Sequence, residues 1–286
     1  MKNKINNFQK FLTLILSFLI ILGVYLSFIG GYGSDEDTLA LIGAYESMLG
    51  GKELMASRFT PYPVAEIGIG FLSYNFGSWA ANLLTFCFAV MGFLFFFLGL
   101  KNKYKNEDIF LFLTLCLSSP ILFFDNIEPI DYSWAFFFLS LGIFFLKKNY
   151  FELAVIFFGI SIGTRINFVL FVPFIIFFFS YENFLSIYRK LILFFCSFFV
   201  GGLFYLPIWF EHGFALDWLT AVTPNNQGII GLLARFLYKS TMSLGIITLF
   251  FILLIFFQLF FKKKINLSSN KLILGIIISN LILFFF

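Results

Sequence analysis

The chain has 286 residues, of which 60% are hydrophobic and only 12% charged, with a formal net charge of +4 and a mean hydropathy of +0.97. That balance excludes an ordinary soluble domain and describes an all-α polytopic membrane protein; no nucleic acid is expected among its partners. Phenylalanine supplies 49 residues, a bias that goes with abundant Ile, Lys and Asn and reads as codon composition more than as an aromatic binding surface.

Lys2, Lys4 and Lys10 precede an uncharged run at residues 11–29. At about 1.5 Å per helical residue this run crosses a hydrocarbon core of about 30 Å. No small-x-small cleavage site follows, so it is expected to stay as an anchor rather than leave as a signal peptide. The hydrophilic stretch 30–78 comes next and is read as the first outer loop. Within it Ser34 and Asp37 have the spacing of a capping box, and Leu41, Ala44, Tyr45, Met48 and Leu49 recur at helical intervals up to Gly50 and Gly51. The pattern predicts a short amphipathic helix on the membrane surface, with Asp35, Glu36 and Asp37 in its first turn, where the helix dipole favours carboxylates. Acids in a first turn also serve simply as caps. "ASRFTPYPVAEI" at 56–67 then brings Arg58, an extended Pro-Tyr-Pro with Tyr62, and Glu66 ahead of a second oily surface segment.

Further apolar runs lie at 79–100, 109–124, 132–146, 151–163, 166–180, 191–210, 240–261 and 272–286, which predicts about nine spans with the first. Several are short and must borrow flanking residues or lie among tilted neighbours. With the N-terminus inside, the inner segments collect most of the lysines, including Lys101, Lys103, Lys147, Lys148, Lys190 and Lys262, together with Arg189, whereas most acids fall outside. That asymmetry matches the positive-inside rule. Joining 151–180 into one helix would destroy it and leave Arg165 in mid-membrane at a cost of about 2.5 kcal/mol or more. "GISIGTRINF" is therefore expected to be a break at the outer surface. A last outer loop, 211–239, mixes His212, Asp217, Trp218, Asn225, Asn226 and Arg235. Cys87, Cys116 and Cys196 sit in separate apolar runs and point to neither disulfides nor a metal cluster.

The order of these motifs resembles the GT-C superfamily of membrane glycosyltransferases, whose members include the protein O-mannosyltransferases and the aminoarabinose transferase of lipid A. The similar features are a first span, an acidic outer-loop helix ending in Gly, and Ser57-Arg58-x-x-Pro61-Tyr62-Pro63-x-x-Glu66. "PIDYSWAFFFLSLGIFF" at 129–145 and the Thr-Arg turn of "GISIGTRINFVLFVPFI" at 159–175 follow in the same order. The resemblance covers roughly residues 10–210. It implies a catalytic membrane module over 1–210, a loop at 211–239 and further spans over 240–286. Family chains are generally longer, so it also implies a C-terminally truncated piece. By resemblance the donor is a sugar on a polyprenyl phosphate and the acceptor lies on the extracytoplasmic side of a bacterial inner membrane. Neither sugar nor acceptor is legible.

The reaction needs a base for the acceptor proton, cations for the departing phosphate and an oily groove for the prenyl tail. The resemblance puts Asp37 in the place of the family's catalytic acid, with Asp35 as second choice and Asp131 as an acid near the reaction centre. Arg58 and Arg165 are the expected phosphate ligands, because a planar guanidinium pairs with phosphate oxygens through two parallel bonds; Lys52 is a third. Either arginine could instead anchor a helix end at the headgroup layer. Glu66, Tyr62 and Glu128 complete the set. A solvated turn explains Asp125, Glu128 and Asp131 as well, and an exposed position on a surface helix explains Glu66. The carboxylates could hold Mg or Mn, as some members of the superfamily do and others do not, and no metal-specific spacing is present. The rival from another class is a transporter or lipid flippase, which would carry ionisable groups within its spans and internal repeats.

Overall fold

The computed structural model describes residues 7–33, 36–50, 62–100, 113–114, 116–117, 120–179 and 185–211. Every regular element among them is an α-helix. In chain order these are α1 (Asn7–Ile29), α2 (Glu36–Leu49), α3 (Pro63–Phe76), α4 (Ser78–Leu100) and α5 (Pro120–Asp125). They continue with α6 (Asp131–Lys147), α7 (Phe151–Thr164), α8 (Phe168–Phe179), α9 (Ile187–Leu203) and α10 (Leu206–Glu211).

The punctuation follows from local chemistry. Pro63 and Pro120 open α3 and α5, where a missing backbone N–H costs nothing. Gly77, at φ 87°, turns the chain between α3 and α4 in a conformation a side chain would resist. Asn149, at φ 64°, makes the tight turn between α6 and α7, a left-handed position that Asn tolerates well. Ser186 caps α9 by accepting a hydrogen bond from the Arg189 N–H.

The long helices form a row in which α1 packs on α4, α4 on α6, α6 on α7 and α7 on α9. Helix α8 leans on α6, α7 and α9, while α2 rests on α3 and α3 bridges α4 and α7. Small residues set the spacing. A Cβ on Gly159 would run into Val200 and one on Gly163 into Phe204, so Gly-Ile-Ser-Ile-Gly lets α7 and α9 approach closely. Leu146, Phe158, Ile162, Val172 and Ile176 form the largest apolar core, between α6, α7 and α8.

The outer flanks of the row are oily. Leu14, Phe18, Ile21 and Tyr25 on α1, and Leu191, Phe195, Phe198 and Phe199 on α9, are exposed. Helix α4 is long and apolar enough to cross a membrane by length and composition, and α7, α8 and residues 13–29 of α1 are shorter apolar helices.

Two expectations need correction. The run 191–210 is not one continuous helix: α9 stops at Leu203, the chain turns at Phe204 and Tyr205, and α10 starts at Leu206. Pro207 explains the break, since its ring would clash with the carbonyl of Leu203 and it has no N–H to offer. The amphipathic helix α2 is also more than a surface float. Its Leu41 and Ala44 are buried, with Leu41 packed beside Tyr62, Ala65 and Trp134, while Leu49, expected on that face, is exposed. The break expected at Thr164-Arg165 is present, between α7 and α8. Of the run 109–124 only parts belong to the described residues, and the runs at 240–261 and 272–286 lie outside them.

Candidate functional site

The first residue of α6 and the residue after α7 meet. Because α6 and α7 are antiparallel neighbours joined by a tight turn, the N-terminus of one lies beside the C-terminus of the other. Asp131 therefore sits where the α6 dipole favours a negative charge, and Arg165 where the α7 dipole favours a positive one. Arg165 Nη1 lies 3.0 Å from Asp131 Oδ2. Asp131 is fully buried and Arg165 is 8% exposed.

The pair is held from several sides. Ser161 Oγ donates to the Ala135 carbonyl at 2.8 Å, pinning the last turn of α7 to the first turn of α6. Trp134 Nε1 donates to Thr85 Oγ1 on α4 at 2.9 Å, and Ser133 Oγ donates to Asn126 Oδ1 at 2.8 Å. Two tyrosine rings flank the guanidinium: Arg165 Cζ is 3.7 Å from the centre of the Tyr132 ring and 5.1 Å from that of Tyr62. Such contacts gain strength when water is excluded. Burial opposes the Arg165 charge, but the Asp131 carboxylate, then Tyr132 and Tyr62, outweigh it and raise its pKa above the ordinary guanidinium value. The Tyr205 hydroxyl donates to the Ile162 carbonyl at 2.9 Å and lies within the fields of Tyr62, Glu66, Asp131 and Arg165.

Glu66, one turn after Tyr62 at the start of α3, is 1% exposed. It is therefore not the exposed surface residue that its helix position allowed. Nor is Arg165 a headgroup anchor: its charge is directed inward onto Asp131. The solvated-turn reading likewise fails for Asp131, which is sealed, though Asp125 is exposed.

Asp37 is half-buried in the first turn of α2, one turn before Leu41 and on the same side of the helix. Since Leu41 packs with Tyr62 and Trp134, Asp37 belongs to the face of α2 directed at this cluster. Glu128 is half-buried with its side chain against Gly33, where the chain leaves α1 at φ 75° and heads for α2. Asn82 closes the same corner, its Nδ2 donating to the Gly31 carbonyl at 2.6 Å. Tyr62, Glu66, Asp131 and Arg165 thus come together, with Asp37 and Glu128 on adjoining elements. Asp35, Lys52 and Arg58 lie outside the described residues, as do His212 and the rest of the loop at 212–239.

Sequence reasoning did not single out Tyr132 or Tyr205. The neighbour of a chosen acid could have been suspected, but Tyr205 was hidden inside a run read as one span; Pro207 was the signal that the span would break just there. Chemically, Asp131 is a structural anion: sealed and facing a guanidinium, it cannot be reached by an acceptor. Asp37, partly open to solvent, can. Among the described residues no group of three His, Cys, Asp or Glu side chains could hold a metal ion, and the guanidinium at Asp131 Oδ2 stands where a cation would bind.

No protein-family model, no curated protein and no solved structure matches the chain, so the resemblance to GT-C enzymes rests on the sequence motifs alone.

Proposed function

We propose that the chain is a membrane-embedded glycosyltransferase that moves a sugar from a polyprenyl-phosphate donor to an extracytoplasmic acceptor. The acceptor hydroxyl or amine gives its proton to Asp37 while its oxygen or nitrogen bonds to the anomeric carbon. The carbon–oxygen bond to phosphate breaks, and the polyprenyl phosphate leaves with the electron pair. Asp35 is the alternative base. Arg58 and Lys52 are the cations assigned to the departing phosphate. Arg165, already engaged by Asp131, contributes its field from below and fixes the shape of the floor with Tyr62, Tyr132 and Glu66. Helix dipoles and a desolvated guanidinium are suited to holding developing phosphate charge.

One observation carries this reading: three motifs far apart in sequence, around Tyr62 and Glu66, Asp131, and Arg165, converge on a single cluster beside the face of α2 that bears Asp37. Charged residues held in a bundle interior need a reason, and a shared site supplies one. In this reading about nine spans place the cluster at the outer face of a bacterial inner membrane and the lysine-rich end of α6 inside.

The test is complementation. In cells lacking the chain, mass analysis of envelope glycans is expected to reveal a missing sugar that the wild type restores. Asp37→Asn, inserted to the same level, does not restore it; restoration by that variant would discard the assignment. A cysteine at position 37 is expected to react with a membrane-impermeant maleimide in intact cells.

A transporter or lipid flippase is the second reading. It is favoured by the buried Asp131–Arg165 pair and by the broken α9–α10 helix, both features of transport proteins. Reconstituted chain that scrambles a fluorescent lipid across vesicles, with glycan masses unchanged in the deletion, would select it.

A further inference from the structure

Helix α6 has 17 residues, so its far end lies about 25 Å from Asp131. At that end Lys147 and Lys148 close α6 and its turn, Phe151 opens α7, Phe179 closes α8, and Arg189 and Lys190 occupy the first turn of α9. A cavity of about 130 Å³ lies between the opening turns of α7 and α9. Its wall is Phe151, Leu185, Ile192, Leu193 and one charged side chain, Arg189. Ile192 is 45% exposed, so the cavity opens to the lipid-facing flank of α9.

The charges here run against the helix field. The N-terminus of α9 is itself positive, yet its first turn carries Arg189 and Lys190 and no acid. Among the described residues no carboxylate forms an ion pair with either. Lys190 Nζ lies 5.7 Å from the Phe177 ring, and Lys147 Nζ, 5.4 Å from the Phe179 ring, adds one more cation beside the last turn of α8. Arg189 and Lys190, side by side at a positive helix end, repel each other until an anion sits between them.

We propose that this end of the bundle binds an anionic phospholipid. Its phosphate sits at the N-terminus of α9 on Arg189 and Lys190. One acyl chain enters the cavity and runs on along the exposed stripe of Ile192, Phe195 and Phe199. A free anion would use the charges but not the apolar wall; a neutral lipid would use the wall but not the charges. Basic pockets between helices on the inner side of a membrane take anionic headgroups for this reason. The inference rests on the chain lying in a membrane and not on the transfer reaction, since the cavity and the Asp131 cluster are at opposite ends of α6.

The experiment uses full-length chain in nanodiscs containing equal amounts of phosphatidylglycerol and phosphatidylcholine with identical acyl chains. Lipid that stays bound after transfer to detergent is measured by mass spectrometry. Phosphatidylglycerol is expected to be retained over phosphatidylcholine by about fivefold or more, and Arg189→Gln with Lys190→Gln brings the ratio close to one. Ile192→Trp, which obstructs the cavity and leaves every charge in place, lowers retention of phosphatidylglycerol and keeps the proposal testable if the charge variant does not fold. Equal retention by the wild type, a preference untouched by the charge variant, or displacement by millimolar inorganic phosphate alone would each overturn the site. Release of the chain from membranes by alkaline wash without detergent would remove the membrane reading itself, a failure distinct from loss of lipid preference.

Discussion

At the Asp131 end of the bundle each long helix is tied to its neighbour by a directional polar contact. Trp134 reaches Thr85 between α6 and α4, Ser161 reaches Ala135 between α7 and α6, and Tyr205, in the turn after α9, reaches Ile162 of α7. Toward the Lys147 end the same helices meet through rings: Phe95 against Phe144 at 5.3 Å and Phe145 stacked on Phe157 at 5.4 Å. In the membrane setting proposed above the difference is instructive, because lipid tails are as apolar as phenylalanine. Ring packing gains dispersion energy but little hydrophobic free energy in a bilayer, and it tolerates sliding. A hydrogen bond or ion pair away from water fixes one register. The end where geometry must be held is the end built from directional contacts.

The comparison breaks most visibly at the ion pair. Arg165→Met leaves Asp131 buried opposite no charge and is expected to cost about 3–5 kcal/mol, read as a fall in thermal midpoint in detergent. Asp131→Leu combined with Arg165→Met recovers much of that loss, because neither charge then remains buried; additive losses would mean the two residues act separately. The raised pKa of Arg165 keeps its contribution fully present at every pH below the ordinary guanidinium value, losing it only above that. Stability measured between about pH 7 and pH 9 is therefore flat as far as Arg165 is concerned.

A smaller effect is expected where helices approach through glycine. Gly159→Leu forces a side chain into Val200 and should cost about 1–3 kcal/mol through separation of α7 from α9. Cross-linking yield between cysteines placed on those two helices reports the separation. Next comes Trp134→Phe, which keeps the ring against Phe88 and removes only the donor to Thr85. About 1 kcal/mol is expected, and Thr85→Val should add little to it in a double-mutant cycle. The smallest effect belongs to the ring-packed end: Phe145→Leu, a volume-tolerant change at a half-buried position, should stay under about 1.5 kcal/mol. A larger loss at Phe145 than at Trp134 would reverse the contrast between the two ends.

Composition and periodicity alone determined that the chain is helical, that Gly50 would end the first outer-loop helix, and that Arg165 would sit at a break between helices. These are local matters: an uncharged run has no other way to satisfy its backbone in lipid, and a charge at its middle is too costly. Acids and arginines of the later cluster could be named for the same reason, being rare in so oily a chain. What they do to one another was decided by tertiary structure. The antiparallel packing of α6 and α7 turned Asp131 and Arg165, separated by two helices in sequence, into one buried pair, with Tyr62, just before α3, set against the guanidinium. Burial distinguishes Asp131, closed to any acceptor, from Asp37, which remains partly open. Residue type cannot make that distinction, because exposure depends on which neighbouring helices cover a carboxylate and not on the carboxylate itself.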